Sequence, residues 1–216
     1  MTDKFHAELE ALRMEICEYG EYAIGMLRDV LRAMDDNDAV RAGEVYLRKE
    51  LLAQRHHLIE EQSLRILALY SPAAVDLRVV ACIIRMNYSL FRIGRMAKDI
   101  AKLVKYSAEE PEGVPVSSLS QMGKIVVVML EDTMKAYTLW DLEPIRDLSS
   151  RDDIVDAMRS SLFRENLTYM MENSRNIKRC IDYISISRHL ERSGDHACLM
   201  AGHISFMVTG ERVEIR

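Results

Sequence analysis

The chain has 216 residues and a formal net charge of −5, with 49% apolar and 29% charged residues. That length buries a core without staples, and that composition is that of a soluble globular or helical-array protein. The net charge and the absence of any basic block or basic–aromatic stripe argue against a nucleic-acid binder. The longest apolar runs, such as Ile125–Leu130, are far too short to span a bilayer. The opening MTDKFHAELEAL is acidic and amphipathic, unlike a secretory signal, and Cys17, Cys82, Cys180 and Cys198 form no CxxC pair. These features lead us to expect a cytoplasmic protein with reduced, mostly buried thiols.

Apolar residues recur at three- and four-residue steps almost throughout, which predicts an all-α protein of six helices. Phe5, Leu9, Leu12, Ile16, Ala23, Leu27, Val30 and Met34 form one stripe on the first. Asp38 is placed to cap a second helix that runs to about Tyr70. Ser71-Pro72 reads as the cap and first residue of a third, which continues to about Tyr106. Ser107–Ser117, SAEEPEGVPVS, is the one Pro/Gly-containing linker of any length. A fourth helix spans about Ser118–Trp140. Asp141-Leu142-Glu143-Pro144 starts a fifth, which ends near Glu172, and Asn173 caps a sixth that Gly210 closes.

The segment LFRIGRMAKDIAK from Leu90 returns 100 residues later as LERSGDHACLMAG from Leu190, while the caps Asp38 and Asp141 lie 103 apart. The expectation is a duplicated three-helix unit: residues 1–106, a linker at 107–117, and residues 118–216. The shift in offset is assigned to three residues missing between the middle and last helices of the second copy.

Glu191 and Asp195 are four apart on one helix, as are Asp152 and Asp156 on the preceding one. Two antiparallel neighbours carrying such pairs can turn four carboxylates to one point, which suits an oxygen-liganded cation. Buried unpaired, the same charges would be costly, so a metal ion or a basic side chain belongs between them. The competing reading is a solvated face neutralised by Arg188, Arg192 and His196. Gly194 fits close approach of a neighbouring helix or ligand. No Glu-x-x-His pair of the di-iron type occurs on these helices.

LERSGDHA, Leu190–Ala197, resembles the LERIGDHA signature that closes proteins of the PhoU family. SPAAVDLRVV, Ser71–Val80, resembles that family's QPxAxDLR segment, and FRENLTYMMEN followed by MVTGE resembles its second half. The resemblance implies two tandem three-helix bundles related by pseudo-twofold symmetry, with one metal-associated ExxxD motif in each. Glu191 and Asp195 match the second motif, and Asp152 and Asp156 match the acids of the helix before it. In the first repeat Phe91 and Arg95 occupy the motif, and Lys49 and Ala53 stand where its partner helix carries acids. Leu199 and Gly202 replace the Asn and Glu that commonly follow the second motif. At most one metal site is therefore expected, for iron, zinc, manganese or magnesium. Arg95 is expected to pair with Asp99, and Lys49, Arg92 and Arg95 are candidates for a small anion site. Asp76 and Arg78, from the DLR segment, are expected to hold the connection between helices.

The resemblance further implies a regulator of phosphate uptake and homeostasis rather than an enzyme. Such a regulator acts on the ATPase subunit of the phosphate ABC transporter and, in many bacteria, on a sensor histidine kinase. It is expected as a homodimer that reaches the membrane only through those partners and binds no nucleic acid. The rival readings are a carboxylate–metal phosphoesterase and a metal-free structural helical dimer. No nucleophile with a base beside it and no Gly-rich phosphate loop supports the esterase.

Overall fold

A computed structural model of the chain describes residues 2–107, 114–115, 117–213 and 215. Seven helices account for nearly all of them: α1 (Thr2–Asp35), α2 (Ala39–Leu47), α3 (Lys49–Tyr70), α4 (Ala74–Ser107), α5 (Ser117–Leu139), α6 (Leu148–Glu172) and α7 (Ile177–Thr209). Short 3-10 turns at Glu143–Ile145 and Ser174–Asn176 lead into α6 and α7. The described residues contain no strand. Most of the expected linker lies outside the described residues.

The α1 stripe is buried from Leu9 to Met34, with Phe5 packed at its edge. Asp38 caps α2 as expected, accepting from the N–H groups of Val40 at 3.0 Å and Arg41 at 2.9 Å. The single second helix does not hold, because the chain breaks between α2 and α3 at Arg48. Residues 44–53 around that break contain no Gly or Pro to mark it. Two tyrosines of α1 take up backbone carbonyls beside it: Tyr22 donates to Arg48 O and Tyr19 to Leu52 O, both at 3.1 Å. Ser71 does not cap α4; it closes α3 in a left-handed conformation, φ 45°. Asn173 caps the 3-10 turn before α7, and Gly210 at φ 79° ends α7.

One core cluster runs through all seven helices, and its most extensive interhelix packing is α4 on α7. The duplication is visible in how the glycines pack. A Cβ on Gly20 would meet Met134 and one on Gly123 would meet Leu31, so both partners are 103 residues apart. A Cβ on Gly94 would meet Leu52 and one on Gly194 would meet Asp152, both 100 apart. Arg28 of α1 bonds Glu131 of α5 at 2.7 Å, again 103 apart, so two equivalent positions pair with each other. The offset therefore changes before α3 and α6, not after them. The nine-residue α2 stands against the three-residue turn Glu143–Ile145, and the missing residues belong there.

The arginines at the starts of α4 and α7 are used in the same crosswise way. Arg78 donates to Met207 O near the end of α7 at 3.2 Å, and Arg179 donates to Ser107 O at the end of α4 at 2.9 Å. Each guanidinium satisfies a carbonyl that its helix end leaves open, and its charge suits that end of the helix dipole.

Candidate functional site

The four acids lie side by side on α6 and α7. A Cβ on Gly194 would sit 3.1 Å from Asp152 Oδ1, so the glycine leaves room for that carboxylate against the α7 backbone. Burial pushes the Asp152 carboxyl up to about 6, reinforced by the charges of Asp195, Asp156, Asp153 and Glu191. Glu191 and Asp195 are raised for the same two reasons, burial first and neighbouring carboxylates second. The Cys198 thiol bonds Asp152, and burial with these charges pushes it up to about 12. The group is thus an excess of negative charge that the protein only partly compensates.

The compensating cation is one the sequence did not mark. Arg159, one turn beyond Asp156, reaches Glu191 with Nε 3.5 Å from Oε1. Of the three groups expected to pair with the acids, His196 instead turns to Ser89 of α4 at 3.3 Å. Arg188 and Arg192 act on the acids through charge alone, lowering Glu191 and Asp195 respectively. The carboxylates form an open strip rather than a cage. Among the described residues, only His56, His57 and Glu60 bring three potential ligand atoms within 4.8 Å of one another. The donor set fits a hard divalent cation that keeps part of its water: all-oxygen ligands, raised carboxyls and a glycine cradle beside Asp152.

In the first half the corresponding positions, Leu52, His56, Phe91 and Arg95, carry no carboxylate. The packing of Gly94 makes Leu52 the counterpart of Asp152, which places His56, not Ala53, opposite Asp156. The expected correspondence with Lys49 and Ala53 is therefore displaced by three residues, the same three lost around α2. Phe91, in the place of Glu191, stacks on His56 with ring centroids 4.5 Å apart. The expected Arg95–Asp99 pair does not form. Arg95 lies over the Phe91 ring at 6.0 Å, while Asp99 pairs with Lys98. The anion candidates each have a different neighbour: Lys49 sits over Tyr46, Arg95 over Phe91, and Arg92 acts on His196 across the α4–α7 interface. Arg78 ties α4 to the far end of α7 rather than to the α3–α4 connection, and Asp76 lies in the first turn of α4.

Cys82, Cys180 and Cys198 are buried free thiols and Cys17 is half-buried. No described helix is long and apolar enough to cross a membrane.

Fold and site together define a duplicated helical-bundle protein with an acidic strip on its second repeat. Comparison with known proteins gives it a family. The PhoU domain model matches twice, at residues 16–104 and 119–204. The phosphate-specific transport system accessory protein PhoU homolog of Caulobacter vibrioides is 37% identical over 207 residues, covering 95% of this chain and 90% of the relative. The Rhizobium meliloti protein of the same description is 34% identical over 95% of this chain and 87% of its own length. The crystal structure of PhoU from Pseudomonas aeruginosa superposes with a TM-score of 0.91 at 32% identity, covering 96% of this chain and all of that one. The Streptococcus pneumoniae structure of the phosphate transport system regulatory protein PhoU gives 0.88 at 27% identity, over 97% of this chain and 99% of that one. The chain belongs to the PhoU family.

Proposed function

We propose that this protein is a regulator of phosphate uptake that docks on the ATPase subunit of a phosphate ABC transporter. The observation that carries the reading is the family match over both repeats, with relatives named as accessory proteins of that transport system. The second half of the proposal concerns the acidic strip. Asp152, Asp156, Glu191 and Asp195 hold an oxygen-liganded divalent cation, magnesium or manganese, with water completing its shell. When bound, the cation adds positive charge to a face where Arg159 forms the direct ion pair and Arg188 and Arg192 act through charge. Arg159 then competes with it for Glu191, which makes the α6–α7 face responsive to cation supply.

Binding of the purified chain to the immobilised transporter ATPase, with magnesium and with chelator, tests both parts beside a Glu191→Gln/Asp195→Asn variant. The expected result is capture of the parent protein, at least severalfold weaker in chelator, and no chelator effect on the variant. Failure of the parent to bind under either condition would remove the docking function and leave a structural helical protein. Equal binding of parent and variant in all conditions would remove the cation. Turnover of a chromogenic phosphate ester, abolished in the variant, would favour the esterase instead.

A further inference from the structure

The only three-ligand constellation among the described residues lies away from the acidic strip, on α3 of the first repeat. His56, His57 and Glu60 each offer one ligand atom, all within 4.8 Å of one another. The helix dictates this grouping: Glu60 follows His56 by four residues and His57 by three, so both imidazoles border one carboxylate. His57 Nδ1 already stands 3.9 Å from Glu60 Oε2.

Two observations separate this group from an ordinary solvated helix face. The His56 ring is held from behind by stacking on Phe91 of α4, with an interplanar angle of 17°. Its backbone is pinned too, since Asn87 Nδ2 donates to His56 O at 2.9 Å. One ligand is therefore preset in orientation, while the other two stand at the surface, with side-chain exposures of 75% for His57 and 53% for Glu60. In a tetrahedral zinc site, donors lie about 3.3–3.5 Å apart for bonds of about 2.0–2.1 Å. Rotation of the two exposed side chains covers the remaining distance.

We propose that His56, His57 and Glu60 bind a borderline transition dication, zinc being the representative, with solvent in the open position. Two imidazole nitrogens and one carboxylate favour zinc over magnesium or calcium, which prefer oxygen alone. The second repeat has no such set, because Asp156, Ala157 and Ser160 stand at the corresponding register. The two halves then select different cations: nitrogen-rich chemistry in the first and oxygen-only chemistry in the second.

Competition between the full chain and a chromogenic zinc indicator tests this, using the parent, His57→Ala, Glu60→Gln and Glu191→Gln/Asp195→Asn. The exposed positions of His57 and Glu60 leave the fold intact, which circular dichroism verifies for each variant. Loss of a ligand should weaken zinc binding by about tenfold or more in His57→Ala and Glu60→Gln. The acid double variant should keep parental zinc affinity, even if it no longer responds to magnesium. Parental affinity in His57→Ala, or weakening confined to the acid double variant, would overturn the assignment. Because the zinc readout uses neither transporter nor magnesium, its failure is distinct from failure of the docking proposal.

Discussion

A methyl group added at Gly94 or at Gly194 occupies equivalent places in the duplication and meets opposite surroundings. At Gly94 it would stand 2.5 and 2.6 Å from the two methyls of Leu52, a fully buried side chain with nowhere to go. At Gly194 the nearest atom is Asp152 Oδ1 at 3.1 Å, on a half-exposed carboxylate that can rotate toward water. Both changes gain about 1 kcal/mol of helix propensity over glycine. For Gly94→Ala we expect overpacking to exceed that gain, giving a net loss of about 1–2 kcal/mol by urea titration. Gly194→Ala should stay within about 0.5 kcal/mol of the parent. Equal losses at the two sites would show that Asp152 is as immobile as Leu52. The Leu-x-x-x-Gly-x-x-Ala pattern repeats at both glycines, but the sequence reading marked only Gly194 as a point of close approach. Their partners were not legible, since a three-residue change of offset decides which side chain of α3 or α6 faces each one. Arg159 escaped notice for a related reason: its role depends on how α6 lies against α7, and no spacing within one helix encodes that.

At the scale of elements, Asp38 and Gly210 cap helices as expected, whereas Ser71 does not cap α4, and Asp141 and Asn173 precede 3-10 turns and do not cap α6 and α7 themselves. The α2–α3 break depends on hydroxyls from α1, and α3 closes on a left-handed serine that carries no glycine signal. The α4–α7 pair, where the two repeats pack most extensively, yields a pH-dependent term. His196 of α7 is buried against Ser89 and the edge of Tyr88. Burial, then the charges of Arg92 from α4 and Arg192 from its own helix, push it down to about 4. A histidine lowered in the folded state contributes stability that is complete above its unfolded pKa of about 6.5 and is lost as pH falls toward 4. Between pH 7 and pH 5 that loss amounts to about 2 kcal/mol. His196→Gln should remove it, so the parent's extra fall in urea midpoint over this interval should be missing from the variant. The raised carboxyls of the acidic strip act in the opposite direction, gaining stability as pH falls, and they are common to both proteins. The difference between parent and variant is therefore the quantity to read. Parallel curves would place His196 in contact with water.

For the molecule as a whole, duplication does not produce two independent bodies. The core is continuous across the repeats, and α4 and α7 close each other's ends through Arg78 and Arg179. Arg28 and Glu131 join α1 to α5 across the same relation. A half that unfolded alone would expose the other's α4 or α7 face and strand its open carbonyls, so the folded states of the two halves are coupled. The single tryptophan, Trp140, reports on the second repeat, at the end of α5 where it also meets Arg13 of α1 at 5.2 Å. Gly94→Ala injures only the first repeat, at a site on α4. Far-UV dichroism and Trp140 fluorescence should nonetheless shift together, by about 2–4 °C for each kcal/mol lost, with no broadening of either transition. If the fluorescence midpoint stayed at its parental value while dichroism developed an earlier step, the first repeat would be unfolding by itself. The same coupling would carry a cation's effect on α7 through α4 to the first repeat, which a pair of separable bundles could not do.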